Sequence, residues 1–144
     1  MRKIIALALL FTASLPVLAE SECTPNLIKE DVCQIASSLA AESKSVLPIK
    51  ITDGMEMYAI EARGNALVSH IRLSATESDM QAVYLREKVS PGLVKAKVRM
   101  QTANNACAPK NPIRSFINLG GEVYYEYTFP SGKTYDSFSV VYCK

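Results

Sequence analysis

The segment CAPKNPIRSFINLGGEVYYEYTFPSGKTYDSFSVVYC, residues 107–143, decides how the chain reads. Asn111-Pro112 opens a short helix from Ile113 to Leu119, with asparagine as the cap and proline in the first turn. Gly120-Gly121 closes it. In residues 122–129, Val123, Tyr125, Tyr127 and Phe129 alternate with Glu122, Tyr124, Glu126 and Thr128, the two-residue period of a half-buried strand. Pro130-Ser131-Gly132 turns the chain, and residues 134–142 return as a partner strand. Five of the seven tyrosines fall in this hairpin. Tyr125 and Tyr127 share the apolar side and read as core. Tyr124 lies on the other side, where an exposed aromatic is a contact candidate.

The same arrangement recurs upstream. Ile28, Val32, Ile35 and Leu39 follow helical spacing, with Ala36 and Ala40 beside them, and the sequence predicts an amphipathic helix over 28–43 that Leu47-Pro48-Ile49 ends. Residues 55–62 and 66–73 read as a hairpin turned at Gly64-Asn65. Leu67, Ile71 and Leu73 share one side of its second strand, and His70 and Arg72 share the other. Two helix-plus-hairpin units predict an α+β domain. Its sheet is antiparallel, of about four strands, with the helices on one face and disulfides tying it together. Between the units, residues 78–88 read as a weak helix that opens with a capping box at Ser78 and Gln81. Ser90-Pro91 starts a further helix through about Ala103, with Leu93, Ala96, Met100 and Ala103 as its buried stripe, broken at Asn104-Asn105.

Of the 144 residues, the first nineteen read as a secretory signal. Arg2 and Lys3 are its positive end, Ile4 to Phe11 its apolar run, and Val17-Leu18-Ala19 its cleavage region. Residues 20–144 are expected to form one domain, and they hold equal numbers of acidic and basic side chains. That balance argues against nucleic acid as a partner. No second apolar run is long enough to predict a transmembrane segment.

Cys23, Cys33, Cys107 and Cys143 all follow the predicted cleavage point. An even count in a secreted chain reads as a disulfide framework with three possible pairings. Cys107–Cys143 and Cys23–Cys33 are favoured. The second requires the chain to fold back near Pro25, because ten residues of continuous helix would hold the two Cα atoms about 15 Å apart. Neither CxxC nor HxxxH occurs, so no metal is expected.

His70 is the only histidine, and it is expected to face solvent. No serine sits in a GxSxG elbow, and no glycine-rich loop precedes a helix to hold phosphate. No catalytic residue and no cofactor are predicted, and the chain reads as a binding protein rather than an enzyme. Charge is segregated: residues 20–61 carry net −5, and residues 86–114 carry net +6. Lys95, Lys97 and Arg99 make one helix face basic, and with Tyr124 they are the predicted partner contacts.

Leu47-Pro48-Ile49-Lys50, a hairpin, a helix, Cys107, a proline-opened helix carrying Arg114 and Ile117, Gly120-Gly121, the tyrosine strand, Gly132, Tyr135 and Cys143 follow in that order. This pattern resembles the beta-class pilotins of type II secretion systems. The resemblance implies a Gram-negative periplasm, a disulfide equivalent to Cys107–Cys143, and a groove that binds a C-terminal helix of an outer-membrane secretin subunit. Those pilotins are lipoproteins. Here Cys23 follows Glu20-Ser21-Glu22, which is not the small-residue box a lipid-attachment cysteine needs. The expected function is therefore a non-catalytic periplasmic module binding a helical segment of a secretion or envelope-assembly component. The alternative is a periplasmic inhibitor of a hydrolase such as lysozyme, inserting the loop Pro109 to Arg114.

Overall fold

The computed structural model describes residues 22–144; the predicted signal sequence lies outside the described residues. The order of elements is α1 (Val32–Ser43), β1 (Ile49–Thr52), β2 (Met55–Arg63), β3 (Ala66–Leu73), α2 (Glu77–Glu87), α3 (Pro91–Ala106), α4 (Pro112–Asn118), β4 (Glu122–Thr128) and β5 (Thr134–Val140). The strands form one five-stranded sheet in the order β1-β2-β3-β4-β5. The α+β architecture agrees with the sequence reading, with two differences.

β1 is the additional strand. It has four residues, all exposed, between Pro48 and the Asp53-Gly54 turn, too short to show a period. The second difference is direction. β1–β2, β2–β3 and β4–β5 are antiparallel, but β3 and β4 pair in parallel, with Leu67 opposite Val123 and Ile71 opposite Tyr127. Three helices connect β3 to β4, which gives the chain the length to return to the same end of the sheet. The two helix-plus-hairpin units are thus joined side by side through a parallel seam.

α1 packs over β2 and β3, α4 over β4, and α3 over β5. α1 begins later than its apolar pattern suggests, at Val32, because Asp31 caps it by accepting the Gln34 N–H at 3.0 Å. The preceding residues fold back as the Cys23–Cys33 pairing requires. Pro25 lies against Gly120, and Asn26 donates to the Leu119 carbonyl at 3.1 Å. Both favoured disulfides are present, with Cα–Cα separations of 5.0 Å for Cys23–Cys33 and 5.3 Å for Cys107–Cys143.

α2 is capped by Thr76 with Asp79 in a reciprocal box, two residues earlier than the Ser78–Gln81 reading. α3 runs through Asn104-Asn105 to Ala106, since asparagine is tolerated where the next turn still packs. Its buried side also differs from the predicted stripe. Val94, Val98 and the predicted Ala103 pack against the core and Ala106 is buried, whereas Leu93, Ala96 and Met100 face solvent. Arg99 explains the rotation: its ion pair with Asp136 on β5 turns that side of the helix toward the sheet.

The core lies between the helices and the inner side of the sheet. Phe116, Leu67, Ile71, Val32 and Val123 are its largest fully buried side chains. Phe116 lies directly over Gly121, where an added Cβ would come within 2.4 Å of the ring. The Gly120-Gly121 pair therefore does two jobs: Gly120 takes a positive φ of 96° to end α4, and Gly121 leaves room for the ring.

Candidate functional site

The helices do not cover the inner sheet face completely. α1 sits close to the sheet because its buried contacts at Ala36 and Ala40 are small. α3 is held out over β5, where Arg99 donates to Asp136 at 2.9 and 2.5 Å. Between them runs an open cavity of about 490 Å³. Leu67 and Ile71 of β3 and Val123, Tyr125 and Tyr127 of β4 form its floor. Leu39, Val46 and Ile51 line one wall, and Thr102, Ala106 and Ile113 line the other. A smaller trough between β1 and α3, lined by Met55 and Val98, shares Ile51, Thr102, Asn105 and Tyr127 with it and extends the groove.

The walls are fixed to the floor by polar contacts. The Tyr127 hydroxyl pairs with Thr102 Oγ1 at 2.9 Å, which ties α3 to β4. Asn111 accepts from the Ile113 N–H and donates to the Asn105 carbonyl, which sets the angle between α3 and α4. Burial pushes the Tyr125 phenol up to about 12, so it stays neutral at physiological pH. Its hydroxyl makes no hydrogen bond within the described residues. No buried polar side-chain atom there lacks a partner, so that hydroxyl opens on the groove. The result is an apolar channel with a neutral donor on its floor, suited to an apolar side of a protein segment.

The four predicted contact residues are not brought together. Tyr124 is half-buried on the uncovered sheet face, opposite Val68 and Ser139 in the register. Lys95 and Arg99 turn toward β5, with the Lys95 Nζ 5.0 Å from the centre of the Tyr135 ring. Only Lys97 of the three cations projects into solvent without a partner among the described residues. The segment Pro109 to Arg114 is not a free inserting loop, since α4 begins at Pro112 and Asn111 is pinned to α3.

His70 does not stand free in solvent as expected. Its Nε2 lies 3.0 Å from Glu61 and its Nδ1 2.9 Å from Glu126, and Tyr58 packs beside it. Flanking carboxylates from the two neighbouring strands cover the ring. The His70 hydrogen bond, followed by that of Arg63, holds the Glu61 carboxyl below its ordinary range. The groove residues escaped the sequence reading for a simple reason. Tyr125 and Tyr127 do lie on the apolar side of β4, but a core strand and a groove floor have the same period. Val46 and Ile51 flank a proline loop with no period at all.

The Arg99–Asp136 pair yields a pH prediction. The Arg99 hydrogen bonds hold the Asp136 carboxyl low, against the opposing effect of burial, with charge attraction from Arg99 and Lys95 adding to the lowering. A carboxyl depressed in the folded state stabilises the fold above the unfolded carboxylate range, about pH 4. That contribution is lost as pH falls through the folded value. Arg99→Met is expected to lower the melting temperature most at neutral pH, with the gap to the parent narrowing toward pH 3. An equal gap at every pH, measured by thermal unfolding, would show that the pair contributes packing only.

The fold and its groove define the class: a pilotin-like α+β domain, with a helix-bordered channel over the parallel seam of a five-stranded sheet. Three solved structures share the fold. A protein from Pseudomonas aeruginosa matches with a TM-score of 0.59 and 18% identity, over 76% of this chain and 88% of that one. The type II secretion system pilotin AspS from Vibrio cholerae matches with a TM-score of 0.57 and 15% identity, over the same shares. The pilotin EpsS of the Vibrio vulnificus type 2 secretion system matches with a TM-score of 0.58 and 13% identity, over 76% of this chain and 86% of that one. No protein-family model matches the chain, and no curated protein matches it by sequence.

Proposed function

We propose that the chain is a non-catalytic protein-binding module of the bacterial cell envelope. Its groove receives the apolar side of a helical segment from a secretion or envelope-assembly component, such as a secretin subunit. The observation that carries this reading is the channel itself. Val46 and Ile51 stand open to solvent at its rim with the half-buried Leu39 and Ile113, above a neutral phenol and the buried apolar side chains of β3 and β4. The pilotin-like fold supports it, and two disulfides agree with an oxidising compartment such as the periplasm. In this reading residues 1–19 are removed as a signal and residues 20–144 act as one domain.

The test uses synthetic peptides covering the C-terminal segments of the host's secretins, titrated against residues 20–144. Val46 and Ile51 line the groove yet are 60% and 41% exposed, so Val46→Asp and Ile51→Asp should fold normally. Each is expected to weaken binding by about tenfold or more, because a charge must be desolvated against an apolar segment. Peptide affinity unchanged in both variants, or lost on Tyr124→Ala instead, would move the site off the groove.

A further inference from the structure

α3 carries two apolar stripes, and the core uses only one. Leu93 and Met100 are 64% and 59% exposed on the side turned away from the sheet, and Ala96 lies exposed between them. They are spaced i, i+3 and i+7, so they line one side of the helix over two turns, about 10 Å. The groove lies elsewhere, along Val98, Thr102 and Asn105. The outer stripe is thus an apolar seam separate from the side of α3 on which Val94, Val98, Ala103 and Ala106 meet the core.

Its charge selects the occupant. α3 contains three cations and no acidic residue. Arg99 is spent on Asp136 and Lys95 lies over Tyr135, which leaves Lys97 beside the seam, unpaired among the described residues. A second copy of this chain is disfavoured, because a two-fold contact centred on Ala96 would bring one Lys97 against the other. We infer that the outer side of α3 is a second docking surface, separate from the groove, for an amphipathic helix with acidic residues beside its apolar stripe. A module that holds one segment in its groove would in this way engage a second acidic element at the same time.

The probe is a fluorescently labelled synthetic helix with leucines along one side and glutamates flanking them. It is compared with its twin bearing lysines in place of the glutamates, and read by fluorescence anisotropy. The acidic helix is expected to bind, the basic twin about tenfold more weakly or not at all, and the affinity to fall as salt rises. Met100→Asp should weaken the acidic helix by about tenfold, and Lys97→Glu should reverse the preference between the twins. Val46→Asp and Ile51→Asp should leave this binding intact, so that failure here is distinguishable from failure of the groove reading. Equal binding of the twins, no binding of the acidic helix, or dependence on Val46 and Ile51 would overturn the inference. So would a preference for phosphatidylglycerol vesicles over the peptide, or self-association of the parent chain that Met100→Asp abolishes.

Discussion

Replacing Cys107 and Cys143 together by alanine is expected to cost about 4 kcal/mol of stability, since the bond closes a loop between residues 36 apart. The same loop-entropy reasoning gives about 3 kcal/mol for Cys23–Cys33, with a separation of 10. Against a typical domain stability of roughly 5–15 kcal/mol, the first loss is large. It should also be local in its consequences. Cys107 ends α3 and starts the turn into α4, so the bond anchors the wall formed by Ala106 and Ile113 to the end of the sheet. Chemical denaturation of the two double-alanine variants separates these contributions. The Cys107/Cys143 variant should show the lower midpoint and the weaker groove binding. Equal midpoints would mean that the longer loop is already restrained in the unfolded chain.

Phe116→Ala is expected to destabilise the domain by about 3–5 kcal/mol, because it empties a position 1% exposed at the junction of α4 and the sheet. Gly121→Ala should act through the same contact from the other side. The new methyl group cannot fit 2.4 Å from the ring, and forcing the ring aside costs about 1–3 kcal/mol. The two are coupled: in a Phe116→Leu background, Gly121→Ala should cost less than in the parent. Additive losses in a denaturation double-mutant cycle would show that the ring does not bear on Gly121. The consequence for function follows from position. Phe116 holds α4 on β4, and the start of α4, with Ile113, is one wall of the groove.

Most of the architecture is legible in residues 107–143. The Asn111 cap, the Gly120-Gly121 stop and the alternation of Val123, Tyr125, Tyr127 and Phe129 each have a local physical cause, and each appears in the structure. The direction of the β3–β4 pairing was not legible. Alternation tells which side a residue faces, not which neighbour its strand takes or whether that neighbour runs parallel. The α3 stripe shows a second limit. Leu93, Ala96 and Met100 satisfy helical spacing as well as Val94 and Val98 do. What turned the helix was an ion pair from Arg99 to Asp136, 37 positions away in sequence. The groove lay beyond reach for the same reason: it is a gap between elements, and a gap leaves no pattern in any one of them. Lys95, Lys97 and Arg99 were legible as cations on one helix, but their different partners depend on what packs against each.

The central claim is that the channel between α1 and the α3–α4 wall is where a protein partner sits. The most direct measurement is site-specific photo-crosslinking in cells. The crosslinking residue would be placed at Ile51 or Ile113 in the groove, and at Tyr124 on the opposite sheet face. The expected result is a defined adduct from the two groove positions, mapping by mass spectrometry to a helical segment of an envelope-assembly protein, with no such adduct from Tyr124. Adducts from Tyr124 alone, or groove adducts that map to the active site of a hydrolase, would contradict it.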